Sequence, residues 1–240
     1  YKPTFKSEYD HPNSRVHDVW VNNGIAYSSE WGTGVVAVDV GNGKWGGTIE
    51  KPKLIATYPT TSGATHEIFP YVQKSTGKVY LFLGDEIMSR EGRVWEGTSY
   101  LQNINQKGGV PQTSAGYTHI IDFTDPENPK DVARYEAKEF GTHNLWVEDD
   151  VLYAAYYDGG LRVVDVSGEL KGDLMRQGRE IAKFKGEEYA LRWGDRTGFA
   201  RIASQHHYPI VTAALVGGDD VYTSFTTRDG AWGRLSQRIT

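Results

Sequence analysis

Short runs of alternating apolar and polar residues, separated by glycine, asparagine and aspartate, occupy most of the chain. Runs of this kind between turn residues predict β-strands. One series comprises HDVWVNN, GIAYSSEW, GVVAVDV and PKLIATY and spans residues 17–58. A second series comprises HNLWVEDD, VLYAAYYD, GGLRVVDVSGEL and REIAKF and spans residues 143–184. The pattern therefore predicts an all-β chain built from a repeated unit of four strands.

Two further copies of the unit are less regular. The copy over residues 66–135 begins with HEIFPYVQ and GKVYLFLGDE, is interrupted over residues 87–116, and resumes with YTHIIDF and NPKDVARY. The interruption is rich in Gly, Gln, Asn and Ser and has no sustained period, so we predict a long loop inserted between the second and third strands. The copy over residues 206–240 is degraded and lacks the VxVVDV pattern.

A four-stranded antiparallel unit exposes its edges and both faces when it stands alone. Radial repetition protects the edges and stacks each sheet on the next, as in a β-propeller. Repeat units of roughly 42 residues favour propeller blades over a β-sandwich. We therefore predict that residues 1–240 form a single domain, an all-β propeller of four-stranded antiparallel blades or a large part of one. Four copies are few for a closed ring, so further blades or a partner chain would complete it.

The third and fourth strands of the units resemble those of the LVIVD-repeat proteins of bacteria and archaea. The similar residues are VVAVDVGNGK…PKLIATY, HIIDFTDPENPKDVARY and LRVVDVSGEL…REIAKF, and the resemblance covers residues 17–184. In that family a strand close to LVIVD precedes S/T-D-P-x-N-P, and residues 122–129 match this motif best. The resemblance implies a propeller fold and an exported or cell-surface protein, and most members have no assigned biochemical role.

Composition and charge narrow the classes of function. The net charge of −5 with no basic run excludes an electrostatic footprint for nucleic acid. The absence of cysteine excludes disulfides and thiolate metal sites. No apolar run approaches the ~20 residues of a transmembrane segment. The polar first residues contain no signal peptide, and we interpret the chain as a mature or incomplete product. The resemblance to LVIVD-repeat proteins implies an extracellular, cell-surface or periplasmic location.

Histidines recur at the start of the first strand in each unit. His17, His66 and His143 open HDVW, HEIF and HNLW, and His206 or His207 opens the degraded copy. First strands line the channel of a propeller, and equivalent residues lie at one height around its axis. His17, His66, His143 and His207 are therefore candidate ligands of a divalent transition metal, since neutral imidazole suits Zn, Cu, Fe or Ni.

Other roles for these histidines remain open. A histidine at a strand start can donate a hydrogen bond to the backbone of the neighbouring blade and lock two sheets together, and an acid–base role is a further alternative. Propeller oxygenases that bind iron through four histidines look similar, but their other motifs are absent from this chain. No GxSxG, P-loop, Rossmann or HExxH pattern occurs either.

Two hypotheses of function follow. The first is a non-enzymatic scaffold or protein-interaction module that contacts another chain through the loop over residues 87–116. The second is a metal-dependent enzyme, an oxidoreductase or hydrolase, that uses the ring of histidines.

Several acidic and aromatic residues recur without implying chemistry. Asp39, Asp122 and Asp165 close third strands and are expected to cap turns through backbone N–H groups. The pairs Asp149–Asp150, Asp219–Asp220 and Asp85–Glu86 are interpreted as solvated turns, although the last could contribute to a site on the inserted loop. Aromatic residues three positions after the repeated histidines are expected to pack between blades; they are Trp20, Phe69 and Trp146.

Overall fold

The computed structural model describes residues 3–60, 64–86 and 116–184, and in these ranges the protein is all-β. The strands are β1 (Asp18–Asn22), β2 (Ile25–Glu30), β3 (Gly34–Asp39), β4 (Lys53–Tyr58), β5 (Thr65–Val72), β6 (Val79–Asp85), β7 (Thr118–Asp122), β8 (Lys130–Tyr135), β9 (Leu145–Glu148), β10 (Val151–Tyr156), β11 (Gly160–Asp165), β12 (Gly172–Asp173) and β13 (Glu180–Phe184). The helical content of this part of the chain is one turn of 3₁₀ helix, Tyr157–Gly159.

Within the described residues the strands form three sheets that follow the predicted units. The first sheet has the order β1-β2-β3-β4, the second β5-β6-β7-β8, and the third β9-β10-β11-β13. All of these neighbours are antiparallel, so the predicted four-stranded antiparallel units are confirmed here. The sequence pattern did not predict β12, which pairs in parallel with β8.

Two regions of the sequence carry predictions that the structure does not test. The insertion at 87–116, except Gly116, and the degraded copy at 206–240 lie outside the described residues. The break in the second unit does fall between its second and third strands, since β6 ends at Asp85 and β7 begins at Thr118.

The second sheet is buried on both faces. Successive side chains of a strand point to opposite faces, so neighbouring residues of β6 reach two different cores. Phe82 packs into a core shared with residues of the third sheet, among them Leu152. Its neighbours Leu81 and Leu83 pack into a core shared with residues of the first sheet, among them Tyr27. All three β6 side chains are completely buried. The central sheet is therefore sandwiched between the other two, and each interface is an apolar core.

Hairpin turns have the backbone conformation that their residues predict. Asn23 and Gly24 join β1 to β2 with φ of 49° and 72°, in the left-handed region that Asn and Gly tolerate. Asp149 and Asp150 occupy the same place in the third sheet, with φ of 52° and 57°.

The prediction that Asp150 is solvated was wrong. Asp150 is buried, and it accepts hydrogen bonds from the Tyr71 hydroxyl at 2.8 Å and from the backbone N–H groups of Lys74 at 2.7 Å and Ser75 at 2.8 Å. These donors belong to the second sheet and its first hairpin turn, so the carboxylate fixes the third sheet to the second.

The three aspartates that close third strands cap turns as predicted. Asp122 accepts the N–H of Thr124 at 3.0 Å, and Asp165 accepts the N–H of Ser167 at 2.9 Å. Asp39 does more, because it accepts four N–H groups, from residues 41, 43, 45 and 47, at 3.0–3.2 Å. Burial alone would raise the pKa of Asp39, but these donors lower it to about 2.

Replacing Asp39 by alanine should therefore loosen the loop that follows β3. The four amides would lose their shared acceptor, and we expect them to exchange with solvent on the order of tenfold faster, measured by NMR hydrogen exchange. The matched control is Asp122→Ala, which removes an equivalent cap with a single backbone donor. Unchanged protection of the amides of residues 41–47 in Asp39→Ala would contradict the anchoring role.

Candidate metal centre

The edges of the three sheets that carry the first strands bring three of the four candidate histidines together. The ring centroids of His17 and His66 are 3.9 Å apart, and those of His66 and His143 are 4.1 Å apart. His66 is buried and His143 is partly buried, whereas His17 is exposed. The fourth candidate, His207, lies outside the described residues.

A β-bulge at each histidine aims the ring. In the second sheet Thr65 pairs with Asp85 and Glu67 pairs with Gly84, so His66 is an extra residue in its strand. A bulge of this kind re-aims a side chain and is common beside functional sites.

The other two histidines lie in the same kind of irregularity. In the third sheet the N–H of His143 donates to the Ala155 carbonyl, while the N–H of Ala155 donates to Asn144, so two residues oppose one. In the first sheet the N–H of His17 donates to the carbonyl of Ser29, which is also the pairing partner of Asp18.

The bulges explain how the repeated aromatic residues can share a side with the histidines. In a regular strand, residues three positions apart point to opposite faces, and one extra residue reverses this. Trp20 and Phe69 have ring centroids 4.8 Å apart, Phe69 and Trp146 4.7 Å, and Trp20 and Trp146 5.6 Å. The predicted packing between units is thus a mutual cluster of three rings, one from each sheet.

The residue directly after the second strand of each sheet faces the histidines. These residues are Trp31, Glu86 and Tyr157. The aromatic ones lie edge-on to the histidine of their own sheet, with centroid distances of 4.8 Å from Trp31 to His17 and 5.4 Å from Tyr157 to His143. The second sheet has a carboxylate in that place instead.

Glu86 faces two of the histidines. Its Oε2 is 3.5 Å from Nε2 of His66, and its Oε1 is 3.7 Å from Nε2 of His143. The interpretation of Asp85–Glu86 as a solvated turn was wrong, because the side chain of Asp85 is fully buried and that of Glu86 is only 13% exposed. Sequence reasoning underestimated Glu86, although aligning the ends of the second strands would have singled out this one acid between two aromatic residues.

His66, Glu86 and His143 can each offer one ligand atom, and these atoms all lie within 4.8 Å of one another. Two imidazoles and a carboxylate are the donors that Zn²⁺ and Fe²⁺ accept in protein sites. The hydroxyl of Tyr157 donates to Oε1 of Glu86 and orients the carboxylate. The group is compact enough to close around one ion with small side-chain movements.

His17 has a different role in the cluster. Its Nδ1 lies 2.9 Å from the carbonyl oxygen of His66, which also accepts the hydroxyl of Ser29 at 2.6 Å. This contact joins the first sheet to the second, which is the structural role predicted as the alternative to metal binding. His17 is not one of the three residues whose ligand atoms converge.

The surroundings keep the two converging histidines neutral. Burial lowers the pKa of His66, and the neighbouring His143 and His17 lower it further, to about 3. Burial also lowers the pKa of His143, although Glu86 opposes this. Within the described residues Nδ1 of His66 is buried without a hydrogen-bond partner. Neutral imidazole is the form that binds a metal ion.

The residue after each histidine carries a second contact between sheets. Asp18 accepts the N–H of Ile68 at 3.4 Å, and Glu67 accepts the N–H of Leu145 at 2.7 Å. Each acceptor thus binds the chain two positions after the histidine of the next unit. Burial raises the pKa of Glu67 to about 8, against the hydrogen bond from Leu145. Sequence reasoning did not use this repeat, although HD, HE and HN display it.

Neither a scan against protein-family models nor a search of curated proteins found a match to the chain. The resemblance to LVIVD-repeat proteins therefore stays a prediction from the repeat residues. In the part of the chain that the structure describes, no helix has the length and apolar character of a membrane-spanning segment.

Proposed function

We propose that the chain is part of a β-propeller that binds a divalent transition metal ion through His66, Glu86 and His143. The observation that carries the metal site is the convergence of three ligand atoms within 4.8 Å of one another. The donors come from equivalent places in repeated units, and a hydrogen bond from Tyr157 holds one of them.

Two features support the propeller. Strands β1, β5 and β9 are first strands at sheet edges, and their histidines and aromatic residues meet, as they would around a central axis. The outer face of the third sheet also carries paired apolar residues with large exposed fractions, of which Trp146 is 47% and Phe184 is 62% exposed. A following blade would cover such a face.

With the three ligands that the described residues supply, the proposed site resembles catalytic metal sites. Structural zinc sites are closed by four protein ligands, whereas catalytic sites have three and keep a position for water or substrate. A metal ion held here would act as a Lewis acid and lower the pKa of a bound water molecule. His66 and His143 would supply nitrogen donors, Glu86 the balancing negative charge, and Tyr157 the orientation of Glu86. This favours the hypothesis of a metal-dependent hydrolase or oxidoreductase over the non-enzymatic scaffold.

Metal titration of the purified chain tests the proposal. After treatment with a chelator, the protein should bind one Zn²⁺ or Co²⁺ per chain in isothermal titration calorimetry. Glu86→Gln and His143→Gln should each weaken binding about 100-fold or more, because each removes one of the three ligands found among the described residues. Circular dichroism should show an unchanged β-sheet signal in both variants.

Matched controls separate ligation from general effects of substitution. His11→Gln and Glu148→Gln remove a histidine and a glutamate outside the cluster, and they should bind metal as the wild type does. Wild-type protein without a stoichiometric site, or equal affinity in Glu86→Gln and in Glu148→Gln, would refute the proposed centre. Contact of another chain with residues 87–116 and an exported location remain predictions from the sequence.

A further inference from the structure

We infer that His119 is a positioning residue for Glu86, acting through a hydrogen-bonded group of the buried Asp85 and His119 and the solvent-accessible Asp131. The inference deepens the proposed function and rests on it, because it assigns a purpose to this group beside a metal ligand. His119 itself is not a ligand, since both of its ring nitrogens are engaged by carboxylates.

The group crosses three adjacent strands of the second sheet. His119 lies on β7 and is 1% exposed. Its Nε2 is 2.9 Å from Oδ2 of Asp85 on β6, and its Nδ1 is 2.9 Å from Oδ2 of Asp131 on β8. The ring of Tyr117 packs against the imidazole at a centroid distance of 4.4 Å. The histidine therefore has a single orientation, fixed on both sides and on one face.

The fixed side chain of Asp85 restricts the orientation of Glu86, because the two residues are consecutive. The N–H of Asp85 donates to the Tyr117 carbonyl at 3.2 Å, and the N–H of Glu86 donates to the Ala64 carbonyl at 2.9 Å. Neighbouring side chains on extended backbone point in opposite directions. Holding the Asp85 side chain on His119 thus directs Glu86 toward His66 and His143.

The chemistry of the group fits a rigid anchor. An imidazole that donates from both nitrogens carries a positive charge, and His119 lies between two carboxylates, of which that of Asp85 is fully buried and that of Asp131 is 33% exposed. A buried carboxylate at Asp85 without this partner would be strongly disfavoured and would leave the strand end. Charge-assisted hydrogen bonds are also shorter and stronger than neutral ones, so the anchor tolerates little movement.

Cobalt binding by the full chain tests the inference. Co²⁺ reports affinity and, through its visible absorption spectrum, the geometry of its ligands. His119→Gln should weaken Co²⁺ binding about 10- to 100-fold and change the spectrum, because the Glu86 ligand is displaced. Asp131→Asn removes only the outer partner, and it should weaken binding by at least about threefold with a smaller spectral change.

A second buried ion pair provides the matched control. Arg162 donates to Glu180 at 3.1 Å within the third sheet, and Arg162→Gln removes this pair. This variant should lose stability but bind Co²⁺ with wild-type affinity and spectrum, which separates positioning from a general loss of stability.

The possible results are distinguishable. Wild-type affinity and spectrum in His119→Gln would overturn the positioning role, as would equal weakening in Arg162→Gln. If His119→Gln does not fold, wild-type binding by Asp131→Asn overturns the inference instead. A wild-type chain that binds no Co²⁺ would refute the metal site itself, and the inference would fall with it.

Discussion

Alanine at position 82 is expected to lower the free energy of unfolding by about 3–5 kcal/mol. Phe82 is 0% exposed and lies in the core between the second and third sheets. Its ring contacts Tyr71 and Tyr80 of the same sheet, with centroid distances of 6.3 Å and 6.5 Å. The truncation removes a large buried ring and leaves a cavity that rigid strands on both sides cannot close.

A substitution at Leu83, the residue after Phe82, tests whether the second sheet is buried on both faces. Leu83→Ala affects the core on the opposite face, and it should cost about 2–5 kcal/mol in urea unfolding. Val72→Ala, at a residue that is 49% exposed in the same sheet, should change stability by less than about 0.5 kcal/mol. If only one of the two buried substitutions destabilises the protein, the second sheet is not enclosed on both faces.

Strands and turns were predictable because their signals are local. Alternating residues and pairs such as Asn23–Gly24 determine strand limits and turn conformation within a few residues. Predictions failed where a distant part of the chain decides the outcome. Asp150 was expected to be solvated, but donors near residue 74 bury it. Strand β12 is defined by its parallel pairing with β8, which lies earlier in the chain.

The candidate site was predictable in part, because its histidines recur in the repeated units. Equivalent residues of repeated units must occupy equivalent places, so the recurrence of His17, His66 and His143 was enough to expect them together. The bulge that turns each ring needs the facing strand, which the sequence does not display. Glu86 was missed as a ligand because its burial depends on Tyr157 and His143, far away in sequence.

The residues that recur in each unit and the residue that differs between units have different roles. The repeated features join sheets: His17 binds the His66 carbonyl, and the acids after the histidines bind the next unit. The residue that breaks the repeat, Glu86, is the third member of the group proposed to bind a metal ion. His17 therefore has the structural role, whereas the proposed metal site uses His66 and His143.

Charge on His119 has a further consequence, which concerns stability rather than metal binding. Burial lowers the pKa of His119, but the facing carboxylates of Asp85 and Asp131 raise it more, to about 9 from 6.5. The folded pKa is above the unfolded one, so the protonated form stabilises the fold. This contribution is complete below pH 6.5 and is lost as the pH rises through about 9. A shift of this size corresponds to about 3 kcal/mol at most.

The free energy of unfolding should therefore fall by up to about 3 kcal/mol between pH 6 and pH 10 through this group alone. Glu67, whose pKa is raised to about 8, also titrates in this range, so the wild type must be compared with a chain that lacks only the His119 titration. The double variant Asp85→Asn/His119→Gln retains a neutral hydrogen bond at the site and leaves Glu67 in place. Urea unfolding of both proteins in EDTA, at half-unit pH steps, should show the wild type more stable at pH 6 and the difference shrinking toward pH 10. A difference that stays constant over this range would mean that His119 is not charged in the folded protein, because a neutral imidazole contributes no such pH dependence.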